Sequence, residues 1–168
     1  MRRIVAFFIA LLTFQTALFA AEDISGFWKS VNEEGHAECI FGIYEYDGLY
    51  YGRIIGTYNS EGKMDDTIYH PKERAPGVIG KPFYSGLDIV WGLNDSGAKF
   101  KGKILDPQKG NIYNCELWIN SEGNLVVRGK FLFIGKSRVW LPAHLSDFPT
   151  DFQVPDLAEF VPEIPQVK

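Results

Sequence analysis

The sequence is short of the residues from which metal sites, nucleophilic centres and disulfide frameworks are built. Its 168 residues include two cysteines, three histidines and two methionines. His36, His70 and His144 stand far apart with no metal-ligand spacing, so no metal site is expected. Neither cysteine is placed near a histidine in a defensible nucleophile arrangement, and the chain has no Gly-rich phosphate loop and no nucleophile elbow. His70 and Glu73 could form an acid/base pair, but that spacing is common in exposed loops. No catalytic residue and no cofactor is expected. An enzyme acting on a small lipophilic substrate ranks last, and would need a titrating group inside the fold, with Glu116 and Asp88 as first candidates. Positive charge is also scarce: 17 Lys and Arg face 21 Asp and Glu, for a formal charge of −4. A nucleic-acid backbone needs a basic face, so nucleic acid is a poor partner. No segment carries a sustained helical period with caps.

The N-terminus is the exception to an otherwise mixed composition. Arg2 and Arg3 precede an apolar stretch over 4–12 that continues through 14–19, and Ala20 and Ala21 close it with small residues. This is the layout of a secretory signal peptide over 1–20, and its core is short for a membrane-spanning helix. Export to the periplasm or beyond is therefore expected, with no lipid anchor, since no cysteine follows the cleavage region. Nothing after it is long and apolar enough to span a membrane. The remaining residues suffice for one domain that needs no metal or disulfide to fold. In an oxidising compartment Cys39 and Cys115 could pair, but both fall mid-strand and far apart in strand order. Buried thiols acting as small hydrophobes are the favoured alternative.

What is abundant is strand and turn chemistry. Strands are predicted over 25–31, 36–46, 49–58, 86–93, 98–105, 111–119, 125–134 and 136–141. Asp47-Gly48 is a strong hairpin signal. Over 98–105, Phe100, Gly102 and Ile104 alternate with Lys99, Lys101 and Lys103, the mark of a strand with one solvent face. Asp106 and Gly110 are read as turn residues, one capping and one supplying positive φ. Eight strands joined by hairpin-length loops predict an all-β fold, an eight-stranded antiparallel up-and-down barrel over 21–144. A two-sheet sandwich is the competing architecture. Trp91, Phe100, Tyr113, Leu117, Leu125, Val127, Phe131 and Phe133, with Ile89 and Ile104, are expected to face inward, where they either fill the barrel as a packed core or line a ligand pocket, with Gly102 and Gly129 leaving room.

Two segments fall outside the meander. The connection over 59–85 is long enough to be a lid or binding loop. The tail over 145–168 carries Pro149, Pro155, Pro162 and Pro165, with Phe148, Phe152 and Phe160 between them. Its prolines exclude a regular helix, apart from a short turn near 156–160, and its aromatics argue against disorder. It is expected either to pack on the barrel's own surface or to serve as a strap for a partner.

Gly26-x-Trp28 on the first strand of such a meander resembles the lipocalin and wider calycin signature. Asp47 to Ile54, Val78-Ile79-Gly80, Gly102 to Pro107, Gly110 to Tyr113, Val127-Arg128-Gly129 and the final Gly135 to Trp140 strand appear in order. That ordered set resembles an uncharacterised family of small exported bacterial proteins. Two positions depart from the family pattern: Lys136 stands where arginine is usual, and Leu141-Pro142 where a second arginine is usual. The resemblance implies that Trp28 plugs the narrow end of the barrel, its indole N–H reaching a backbone carbonyl. It also implies a basic side chain over the ring, for which Arg128, Lys136 and Arg138 are the candidates. Gly26 would let the incoming chain approach closely. The function this implies is an exported, non-enzymatic protein holding a small hydrophobic or amphipathic molecule, gated by the 59–85 loop. The alternative is a module with a packed barrel that docks on an envelope protein through its tail or loop.

Overall fold

Apolar–polar alternation, broken at short intervals by Asn, Asp and Gly, becomes nine antiparallel strands among the described residues. A computed structural model describes residues 22–131 and 134–167. The signal segment expected over 1–20, and Phe133, which is expected to face inward, lie outside the described residues. The strands are β1 (Gly26–Val31), β2 (Ala37–Tyr46), β3 (Leu49–Tyr58), β4 (Met64–Thr67), β5 (Asp88–Asp95), β6 (Phe100–Asp106), β7 (Asn111–Ile119), β8 (Leu125–Phe131) and β9 (Ile134–Pro142). Asp47 and Gly48 both adopt positive φ, the requirement of the tight turn joining β2 to β3.

The sheet order closes on itself: β2-β1-β9-β8-β7-β6-β5-β3, with β3 pairing back to β2. Every barrel strand therefore lies beside its neighbours in the chain, and the barrel has eight strands as the hairpin spacing predicts. Closure shortens the sheet edges that would invite aggregation. The ninth strand, β4, is an addition on β3 within the long connection. No helix of the described residues is long and apolar enough to cross a membrane.

The closing seam is short. β1 and β9 share only the pairs Trp28–Pro142, Lys29–Leu141 and Ser30–Trp140, so β9 from Ile134 to Val139 pairs with β8 alone. Ladder parity then assigns the faces. Trp28 and Ser30 on β1, Cys39, Phe41 and Ile43 on β2, and Phe100, Leu117, Leu125 and Val127 on β6–β8 are buried together. Trp140 stacks on Phe41 with ring centroids 3.9 Å apart.

A second cluster lies on the outer side of β2 and β3. Ile40, Ile55, Met64 and Phe148 are buried there, with Phe27, Tyr58, Phe152 and Phe160 around them. The tail supplies the cover. Phe148 meets Phe27 edge-on at 5.6 Å and stacks on Phe152 at 5.2 Å. Tyr58 donates to the Asp147 carbonyl, and Lys29 pairs with the Asp147 carboxylate. Two single 3₁₀ turns, Leu145–Asp147 and Leu157–Glu159, punctuate the tail, the second where the sequence predicts a short helical turn.

The long connection is docked as well. Gly77 donates to the Pro107 carbonyl at 3.0 Å, and Ala75 and Val78 are buried in the main cluster with Leu87, Ile89 and Leu105. Gly77 and Gly110 interlock: a Cβ on Gly77 would fall 2.2 Å from the Gly110 nitrogen. Ile79 donates to the Gln166 carbonyl, so the tail's end is tied to this connection. A freely swinging gate is thus not what the chain builds from this segment.

Candidate functional site

The first strand buries its tryptophan from the sequence upward. Trp28 is 7% exposed, and its indole N–H donates to the Ile24 carbonyl at 2.9 Å, which satisfies the polar atom that a buried tryptophan brings. Gly26 beside it has φ +126°, with nothing near where a Cβ would sit. The glycine is needed for its backbone angle, not for the close approach expected from the sequence.

The inner wall of β6 to β9 can be read in rows along the ladders. The first row is Phe100, Leu117, Val127 and Arg138. The second is Gly102, Cys115, Gly129 and Lys136. The third begins with Ile104 and Tyr113. The first row is buried up to Val127, after which Arg138 is exposed. The second row carries only small side chains until Lys136, also exposed. A Cβ on Gly129 would meet only the Ile104 Cγ2, at 3.7 Å, so this glycine leaves space on the inner wall. Gly102 does not: its Cβ would fall 2.6 Å from the Trp91 carbonyl, so it accommodates the neighbouring strand's backbone.

Of the residues expected to line a pocket, the ladders bring Phe100, Tyr113, Leu117 and Val127 onto this wall, and Phe131 pairs with Ile134 at the end of β8. Trp91 is placed elsewhere. β5 is irregular around Gly92, whose φ is +61°. Val90 stands opposite Gly52 and Ile104 and is fully buried, whereas Trp91 stands opposite the exposed Lys103 on the outer face. The expected alternation Ile89, Trp91, Leu93 is shifted by this irregularity, so Val90 and Leu93 take the inner places, and Ile89 joins Leu105 beneath the long connection.

Arg128 is also on the outer wall, opposite Glu116 and Ser137. Its guanidinium lies over Gly135, where a Cβ would be 2.3 Å from Nε. Alternation with the inner Val127 and Gly129 forces this side, so Arg128 cannot lie over Trp28 as expected. Among the described residues, the basic groups set over rings are Arg53 on Tyr44 and Phe160, Arg74 on Phe83, and Lys99 on Trp118.

The two carboxylates named as candidate titrating groups are outside the barrel too. Glu116 faces outward between Lys99 and Lys130, and the Lys130 hydrogen bond, with both ammonium charges, holds its carboxyl below the usual range. Asp88 is 1% exposed and accepts from the Arg53 guanidinium at 2.7 and 3.0 Å, from the Tyr44 hydroxyl at 2.9 Å and from the Glu163 amide at 2.8 Å. Burial, then the Asp88 charge, push the Tyr44 hydroxyl far above its ordinary range. Phe160 closes over this group, edge-on to Tyr44 at 5.3 Å. Sequence reasoning does not bring these residues together. The cluster's signal was the unbroken apolar run through Ile43-Tyr44 on β2, which alternation with a solvent face does not produce.

Cys39 and Cys115 are both buried free thiols. Burial pushes Cys39 well above the ordinary thiol range and Cys115 up to about 12. As thiols rather than thiolates they pack as small inner-wall hydrophobes. His70 lines an outer cleft of about 400 Å³ with Met64, Tyr69 and Phe152, apart from the barrel interior.

The comparisons with known proteins agree with this architecture. No curated protein matches the chain. Among solved structures, protein HP1028 of Helicobacter pylori, described as belonging to the lipocalin family, is similar with a TM-score of 0.58 at 15% identity. That similarity covers 74% of this chain and 86% of the other, and it shows the fold: a lipocalin-like barrel. The family model described as "Uncharacterized protein conserved in bacteria (DUF2147)" matches residues 26–141, which is the barrel from β1 into β9 without the tail. The chain belongs to that bacterial family.

Proposed function

We propose that this protein is an exported, non-enzymatic binding protein that holds a small hydrophobic or amphipathic molecule inside its barrel. The observation that carries this reading is the inner wall around Gly129. There the buried layer of Phe100, Leu117 and Val127 gives way to Gly102, Cys115 and Gly129, and Gly129 leaves open space beside it. An eight-stranded barrel is wide enough to hold one small ligand, and an apolar wall with a few polar groups is the usual chemistry of such sites. Export rests on the N-terminal pattern of Arg2, Arg3 and the apolar run that follows.

Docking on an envelope protein through the tail or the long connection has less support. Both segments are occupied by the barrel's own outer wall, through Phe148, Leu157 and Phe160 for the tail and Ala75 and Val78 for the connection.

Native mass spectrometry of the mature protein purified from the periplasm, followed by denaturation and extraction, tests the reading. Release of a stoichiometric small molecule is expected. A clean apo mass, together with no uptake of a fluorescent fatty-acid probe, overturns it.

A further inference from the structure

Resting on that reading, we infer that the ligand is an anionic amphiphile, its apolar part on the inner wall and its charged head held by Lys136 and Arg138. Three observations converge. Ladder parity puts both basic residues on the inner face of β9: Arg138 pairs with the buried Val127 and Lys136 with Gly129, with no irregularity between Leu125 and Phe131. Both are exposed, and neither makes a hydrogen bond or ion pair among the described residues. Both lie on the part of β9 that β1 does not reach, because the seam stops at the Ser30–Trp140 pair. The seam therefore opens where the two cations stand.

The charge pattern sharpens the point. The chain is acidic overall, and its other basic side chains are commonly engaged: Lys29 with Asp147, Arg53 with Asp88, Lys72 with Asp65, Lys99 and Lys130 with Glu116. On the inner rows of β6 to β9 the carboxylate is Asp106 at the strand end, occupied by the Gln108 and Lys109 amides of its own turn, and Asp95 on β5 extends the first row beyond Phe100, at the end away from Arg138. Two unneutralised cations beside an apolar layer and a row of small residues form an amphipathic site. A carboxylate or a phosphate monoester on an acyl chain has the matching chemistry: the head accepts charge-assisted hydrogen bonds at the seam while the chain takes the space beside Gly129.

Charged residues pointing inward near an unpaired strand are also a device against edge-to-edge association. The test separates the two roles. Affinities are measured for cis-parinaric acid and its methyl ester, which share the chain and differ in head charge, with dodecanoate and dodecyl phosphate as competitors that distinguish the two heads. The full mature chain is expected to bind the acid about tenfold or more tightly than the ester, with the advantage shrinking as salt rises. In Lys136→Gln/Arg138→Gln that advantage collapses to within about twofold, while Lys136→Arg retains it. Lys101→Gln, on the outer face of β6 opposite Glu116, leaves it intact. Equal binding of acid and ester by the wild-type chain overturns this inference and leaves the binding reading standing. Binding of neither probe overturns both. A double variant that keeps the acid's advantage but self-associates on gel filtration assigns the two charges to edge protection, and the inference falls.

Discussion

Two walls of the same barrel obey different rules. The wall made by β6 and β7 is one-sided over most of its length: Phe100, Leu117 and Cys115 are buried inside, Lys101, Lys103 and Asn114 stand in solvent outside, and only at its end is the outer Leu105 buried, beneath the long connection. The wall made by β2 and β3 is apolar on both faces, with Phe41, Ile43 and Ile54 inside and Ile40, Tyr44 and Ile55 equally buried outside. A strand buried on both faces needs a second layer. The tail is that layer, and it lies beyond the stretch matched by the family. The lesson is that a lipocalin-like barrel can hold a core on its outer side when the same chain provides the cover.

The strongest way to break this contrast is to remove the cover. Truncation after residue 143 deletes Phe148, Phe152, Leu157 and Phe160 from the outer wall and wets the Arg53–Asp88 pair. At the usual value of burying large apolar side chains, a loss of about 5 kcal/mol is expected, read as a fall in the urea midpoint. If the midpoint does not move, the tail is a detachable strap and the two walls are not different after all.

A glycine-to-alanine pair sharpens the contrast at smaller cost. On the outer wall, Gly42→Ala would place a Cβ 2.6 Å from the Leu157 Cδ2 and 3.2 Å from the Ile55 Cδ1. It should destabilise the full chain by about 1 kcal/mol and have much less effect in the truncated chain, where Leu157 is gone. On the inner wall, Gly129→Ala meets nothing closer than 3.7 Å. It should leave stability within about 0.5 kcal/mol yet weaken fatty-acid probe binding, because it fills ligand space. Equal stability losses for both, measured by urea unfolding, would erase the distinction.

The smallest expected effect is a pH dependence of the tail's hold. Burial alone would raise the Asp147 pKa, but the His144 amide and the Lys29 ammonium outweigh it and keep the carboxyl below its ordinary value. A depressed carboxylate contributes stability above its unfolded pKa, and that contribution is lost as pH falls through the folded value. Stability should therefore drop more steeply below about pH 4 in the wild-type chain than in Asp147→Asn, as followed by urea midpoints across that range.

Much of the barrel is legible in the sequence because hairpins are local. Asp47-Gly48, the alternation through Phe100, Gly102 and Ile104, and Gly26-x-Trp28 each act within a few residues, and the ladders keep them where the pattern puts them. The inner face of β5 was not legible. One irregularity at Gly92 moves Trp91 outward and Val90 inward, and a slip of one residue exchanges every side chain on a strand. Arg128 stands outside for a related reason: the parity of β8, with Val127 and Gly129 inside, outweighs the family pattern that makes its charge prominent. The Asp88–Arg53–Tyr44 cluster joins three strands and the tail, and no local pattern links residues so far apart.

The sequence by itself determined the eight barrel strands, their turns and the up-and-down order, because backbone preference and side-chain alternation act over a few residues. Only the tertiary structure decided which faces are buried on both sides, where the seam between β1 and β9 stops, and that Lys136 and Arg138 share the inner wall with Gly129 and Val127. Those depend on register and closure, which bring together residues whose separation along the chain carries no signal.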